Sequence, residues 1–303
     1  MSEPAAGPRA ERIDFRASGD PALHESSDRG ESQLLSYRAL YELWERQQWA
    51  TQDLDFTQDR IDWHERFDDE ERYARMYGLS SFFVGEQRVA AELGPLMRAC
   101  PAEDMRLFLC TQIADEARHV AFFDRFYREV GILQADSLAG RLEETGAHVN
   151  DNFIVLFDEI LHRRVNRLAV EPEDTETLVE AITIYHMVIE GMLALTGQHF
   201  IIDYNERQGT LPAFVDGFTK VARDEHRHVA FGARFLRDMA RDDPRFGRAI
   251  QRTLAEIAPV VDGVLRPPWV TDESRPVLGT SVNDSRAFAM HALERRLRVI
   301  GLA

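Results

Sequence analysis

From Ser36 onward, apolar positions recur every three or four residues, the periodicity of helices that bury one face. That spacing predicts helical cores over 36–49, 67–98, 102–130, 138–168, 174–206, 212–240, 245–265 and 284–299. Chain breakers fall between them: Pro101, Gly131, Pro172, Gly209 with Pro212, the Asp243-Pro244 step and the Pro267-Pro268 pair. Strand-like alternation is scarce. Helices near thirty residues long, joined by short loops, must lie antiparallel and side by side. The expected fold class is therefore all-α, a helical bundle with additional helices around it. Residues 1–30 mix Pro, Gly, Ala, Ser and charge with few large apolar side chains, and read as a disordered N-terminal tail. Nothing in 31–303 marks a further boundary, so this stretch reads as one domain.

Composition narrows the partners. A net charge of −16 over 303 residues disfavours nucleic acid and anionic membrane surfaces. The two cysteines, Cys100 and Cys110, lie ten apart on expected helix and form neither a disulfide nor a metal framework. No apolar run is expected to reach membrane length and no leader pattern is seen, which places the protein in the cytoplasm.

The candidate chemistry lies in a repeated segment. "ADEARHVAFF" from Ala114 has a near-twin in "RDEHRHVAFG" from Arg223. Each contains Glu-x-x-His: Glu116 with His119, and Glu225 with His228. Residues three apart share a helix face, so one metal ion can accept both side chains. One helix upstream of each copy stands a lone acid in apolar surroundings, Glu86 in "FFVGEQRVAAEL" and Glu190 in "YHMVIEGMLALTG". Four carboxylates balance two divalent cations, and this is the ligand plan of ferritin-like dimetal-carboxylate bundles. Either motif alone would more often be a solvated helix face; the six positions together favour a metal site. Asp115 and Asp224, directly before the motif acids, are either hydrogen-bond partners of the ligand imidazoles or surface acids. Arg118 and Arg227 read as structural partners for carboxylates.

"ELWERQQW", "DLDFTQDRIDW", "GEQRVAAELGPLM", "DEARH", "IEGMLALTG" and "DEHRHVAFG" carry a resemblance to the ribonucleotide reductase small-subunit superfamily. It runs from about Trp44 to Arg237, and within the superfamily the chain is most similar to ligand-binding oxidases with a manganese/iron cofactor. The resemblance implies an O₂-activating oxidoreductase. It makes Glu86, Glu116, His119, Glu190, Glu225 and His228 the ligands of Mn and Fe, or alternatively of two Fe. It implies that Val89 and Tyr185 become joined by an oxidative ether cross-link, and that a long-chain fatty acid or similar apolar carboxylate binds with its head at the metals. A separate electron donor and a homodimer are further implications. Leu93, Met97, Leu193 and Phe200 are either channel wall or plain core.

Other readings stay open. A conventional ribonucleotide reductase small subunit resembles this pattern but places a tyrosine where Phe123 stands and another in a C-terminal tail, whereas the last tyrosine here is Tyr204. An N-oxygenase would place an additional histidine at Val221. A di-iron hydroxylase and an iron-storing or purely structural bundle also remain. Two residues stand apart from the pattern. Tyr185, five before Glu190, falls off the ligand face of an ideal α-helix unless a π-bulge turns it. His186 departs from the pattern, either as a donor behind the ligands or as an extra ligand.

Overall fold

In a computed structural model, residues 23–25 and 32–302 are described. Four long rods form the core: α3 (Asp69–Ala99), α4 (Glu103–Val130), a composite rod from Thr175 to Gln208, and α10 (Pro212–Asp242). The composite rod is α8 (Thr175–Ile182), a π-helical stretch (Thr183–Ala194) and α9 (Leu195–Gln208). The α3–α4 pair and the composite rod–α10 pair are hairpins, and α10 packs on α4. Around them lie α1 (Tyr37–Arg46), α2 (Thr57–Ile61), α5 (Leu138–Gly146), α6 (Asp151–Ile154), α7 (His162–Val170), α11 (Pro244–Val264) and α12 (Val282–Ile300). The expected all-α, ferritin-like bundle is what the chain forms. Of the tail expected over 1–30, only Leu23–Glu25 is described, paired antiparallel with Ser32–Leu34; the rest lies outside the described residues.

Local chemistry sets the rod ends. Asp68 caps α3 through the Glu71 N–H. Cys100, forced extended by the proline after it, ends that helix. Gly131, with φ of +76°, closes α4 in the left-handed region. The start of α10 is capped from a distance: buried Asp59 accepts from Phe214 N at 2.7 Å and Ala213 N at 3.1 Å, and Asp62 from Leu211 N at 2.8 Å. These acids sit on α2 and its π-helical extension Asp62–Arg66, a helix that hydrophobic spacing did not predict.

Two expectations need correction. The rod predicted over 138–168 is broken: α5 stops at Gly146, and Asn150 starts a new helix by accepting from Phe153 N at 2.8 Å. Apolar periodicity carried across this break because both pieces bury a face. Nor is the chain free of membrane-length apolar runs. Thr175–Gln208 qualifies by length and composition, yet 78% of its most apolar window is buried within the protein. It is the innermost rod of the bundle.

Candidate metal centre

Each of the four rods contributes to one buried cluster. Glu86 comes from α3, Glu116 and His119 from α4, Glu190 from the π-helical stretch, and Glu225 and His228 from α10. All six are buried, the most accessible at 6%. Their donor atoms form two groups, Glu86–Glu116–His119–Glu225 and Glu116–Glu190–Glu225–His228, and within each group every atom lies within 4.8 Å of the others. Glu116 and Glu225 belong to both. His119 Nδ1 lies 3.2 Å from Glu86, 3.4 Å from Glu116 and 3.3 Å from Glu225. His228 Nδ1 lies 3.4 Å from each of Glu116, Glu190 and Glu225. Donors bound to one ion at about 2.1 Å stand roughly 3 Å apart along a polyhedron edge, so these spacings fit ligands around a cation.

Unfilled valences point the same way. Glu116 Oε2, Glu190 Oε2, Glu225 Oε2 and His228 Nδ1 are buried without a hydrogen bond. Such atoms cost free energy unless something fills the space between them. Burial raises Glu86 and Glu190 well above the usual carboxylate range, with neighbouring carboxylates adding to the effect. Burial also works against charged imidazoles. The surrounding acids nonetheless hold His119 and His228 well above their ordinary value, chiefly through Glu86 and Glu225 respectively. Protons held on these acids and imidazoles thus provide the compensation that cations between them would otherwise supply. Carboxylate-rich, thiolate-free ligation suits iron or manganese.

Behind the ligands the two motif segments support each other crosswise. His119 Nε2 meets Asp224 at 3.4 Å, and His228 Nε2 meets Asp115 at 3.2 Å. Each aspartate therefore orients the imidazole of the opposite motif. Arg227, almost wholly buried, donates to Asp115 at 2.9 Å and to Asp224 at 2.7 Å, while Arg118 pairs with Asp115. Indole N–H groups complete the acids: Trp44 donates to Asp115 at 2.9 Å and Trp49 to Asp224 at 2.7 Å. Of the two readings of Asp115 and Asp224, the imidazole partners are the ones found.

The π-helical stretch does for Tyr185 what an α-helix could not. It turns the phenol inward, where the hydroxyl donates to Glu116 Oε1 at 3.0 Å. Burial, then the charge of Glu116, raises the Tyr185 pKa, so the phenol keeps its proton. Val89 lies one turn beyond Glu86 on the wall of a cavity of about 260 Å³. Buried Glu86, Glu116, Glu190 and Glu225 line this cavity, as do half-buried Phe200 and Trp269. Leu193 also lines it, whereas Leu93 and Met97 belong to the solid core. His186 is not among the clustered donors; its Nε2 meets Gln112 Oε1 at 3.1 Å, and Gln112 donates to Glu190 at 2.8 Å. Gln112 was missed from sequence, although it stands four before Glu116 on the same helix face.

Comparison with known proteins follows this geometry. The "Ribonucleotide reductase, small chain" family matches residues 35–303. Among solved structures, the chain resembles a variant of an R2-like ligand-binding oxidase with an anaerobically reconstituted Mn/Fe cofactor. The identity is 27% and the TM-score 0.77, covering 89% of this chain and 94% of that one. A variant with an aerobically reconstituted Mn/Fe cofactor matches at 26% identity and a TM-score of 0.77, covering 89% and 95%. Another with a non-activated Mn/Mn cofactor matches at 27% and 0.77, covering 89% and 94%. With the family match running through all four ligand-bearing rods, the chain belongs to the ribonucleotide reductase small chain family.

Proposed function

We propose that this protein is an O₂-dependent dinuclear metal oxidase of the ligand-binding type. Glu86, Glu116, His119, Glu190, Glu225 and His228 would hold Mn and Fe, or in the alternative two Fe. The observation that carries this reading is the pair of overlapping donor groups sharing Glu116 and Glu225, with buried valences left open between them. Support for the Mn/Fe pair comes from the similar structures that contain it.

When bound, the two divalent ions supply the redox chemistry, contributing two of the four electrons that take O₂ to water. The protein supplies the other two in the first oxidation. The Val89 Cβ–H and Tyr185 O–H bonds would break and a Cβ–O ether bond would form; the two protons and two electrons released, with two further protons from solvent, would complete the reduction of O₂ to water. Glu116, already hydrogen-bonded to the phenol, holds Tyr185 in place and stands ready to take its proton. Supporting this role, Val89 and Glu86 both line the cavity, one helical turn apart. An apolar carboxylic acid such as a long-chain fatty acid fits the remaining space, its head at the cluster and its chain along the Phe200 and Trp269 side. In this reading the protein works in the cytoplasm as a homodimer and draws electrons from a separate donor.

Reconstitution without oxygen in the presence of both Fe(II) and Mn(II), followed by elemental analysis, tests the centre. Two metal ions per chain are expected, one of them manganese. Two iron per chain would move the assignment toward a hydroxylase or reductase subunit, and no retained metal would leave a structural bundle.

A further inference from the structure

The two donor groups are not equivalent behind their terminal carboxylates. Gln112 Nε2 donates to Glu190 Oε1 at 2.8 Å and lies 3.3 Å from Glu116 Oε1. Carboxylates only accept, so the amide NH₂ must face them and its oxygen must face away. That oxygen meets His186 Nε2 at 3.1 Å, which makes His186 the donor and locks the amide in this orientation. Glu190 is left with one oxygen held by an amide and the other, Oε2, buried and without a hydrogen bond. Both acids approach a histidine, Glu190 Oε1 lying 3.4 Å from His228 Nδ1 and Glu86 Oε2 3.2 Å from His119 Nδ1; what sets Glu190 apart is the amide on that same Oε1.

The fold makes room for this arrangement. A Cβ on Gly232 of α10 would lie 2.2 Å from His186 Cβ and 2.8 Å from its Cγ. A Cβ on Gly191 would lie 2.8 Å from the His186 carbonyl oxygen and 2.9 Å from Arg296 Nε. The side chain missing at Gly232 thus leaves the space that His186 fills, and the imidazole is fully buried. Its ring packs on Tyr185 at 4.6 Å and on Phe231 at 5.4 Å. A histidine filling a core position would need no such alignment with an amide that touches two ligand carboxylates.

We propose that Gln112 and His186 are positioning residues that fix Glu190 as a one-oxygen ligand and so make the two metal positions unequal, letting the centre discriminate between Mn and Fe. A clamped carboxylate cannot swing to chelate, so the position beside His228 keeps a fixed coordination number, while Glu86 leaves the position beside His119 free to adjust. Geometry and ligand number, rather than raw affinity, are how proteins separate neighbouring divalent metals. Orienting contacts of this kind typically change metal affinity by roughly 10- to 100-fold. The inference rests on the metal-centre reading above.

The test is site-resolved metal identity. Wild type, Gln112→Leu, His186→Phe and the donor-retaining His186→Gln would be reconstituted anaerobically with equal Fe(II) and Mn(II). Anomalous diffraction at the two metal edges then reads each position separately. Wild type is expected to load two ions with one position enriched at least severalfold in one metal. Gln112→Leu and His186→Phe should still load two ions but lose most of that enrichment, and His186→Gln should restore it. Wild-type partition in a folded Gln112→Leu or His186→Phe protein would overturn the proposal. Failure of His186→Gln to restore a partition lost in His186→Phe would remove His186 from it. Wild type that loads no metal pair would overturn the metal-centre reading, a result distinguishable because it appears before any substitution is made.

Discussion

Asp224 lies 3.4 Å from the imidazole of His119, across the bundle, rather than serving His228 on its own helix. Asp115 returns the contact to His228, and Arg227 ties both acids together. The duplicated segment therefore works as an interlocked pair. Each copy supplies candidate metal donors on one face and supports for the other copy on the next.

This interlock makes Asp224→Ala costly in two ways. Arg227 would lose one of its two buried acid partners, and breaking a buried pair of this kind typically costs about 3 kcal/mol. His119 would also lose the group that orients its ring, which typically weakens metal binding by roughly 10- to 100-fold. Urea denaturation of metal-free protein measures the first effect, and competition with a chelator the second. Asp115→Ala should behave alike through His228.

The proposed Val89–Tyr185 cross-link would have a direct signature. Metal-loaded wild type exposed to O₂ should lose the mass of two hydrogens, and a peptide joining the two segments should appear after proteolysis. Val89→Ala and Tyr185→Phe should each abolish the loss while retaining two metals. An unchanged wild-type mass removes the cross-link and leaves the centre intact.

Gly232→Ala should destabilise the protein by about 1–3 kcal/mol, because the new methyl overlaps the buried His186 side chain. Gly85→Ala, one residue before Glu86, meets only Phe153 and Phe157 at 3.8 Å and should be tolerated. Comparing the denaturation midpoints of the two substitutions checks that the close approach at His186 is specific.

A pH effect is expected at the start of α10. Burial pushes Asp59 up from 3.8 to about 6, against the backbone N–H groups of Phe214 and Ala213, which pull it down. A raised native pKa means the folded state holds the proton more tightly. The Asp59 contribution is then fully present below 3.8 and is lost as pH rises through about 6. Asp59→Asn does not titrate, so the stability gap between wild type and this variant should move in the variant's favour by on the order of 1–2 kcal/mol across that window, allowing for partial solvent screening. Chemical denaturation at pH 4, 5, 6 and 7 measures it; a gap that does not change with pH refutes the assignment.

Particular residues show how far sequence reading reached. Glu116 with His119, and Glu225 with His228, were legible because a three-residue helical spacing puts both side chains on one face whatever the fold. Glu86 and Glu190 were legible as lone acids in apolar helix. Tyr185 was conditional, since its five-residue offset becomes productive only in a π-helical stretch. That stretch, Thr183–Ala194, packs against α10 and α12. Asn150 went unseen because a cap is a local hydrogen bond that leaves the hydrophobic period undisturbed.

The four long rods and the six candidate donors were thus written in local periodicity and residue type, which act over one or two turns and need no knowledge of neighbours. Which aspartate would face which imidazole was not so written. Nor was the amide that Gln112 would turn toward Glu190, or the space Gly232 would leave for His186. Those contacts join residues many tens of positions apart, and their geometry is decided by the rotation and axial shift of one rod against another. Only the packed bundle sets that rotation and shift, because they follow from the sum of many side-chain contacts along each pair of helices.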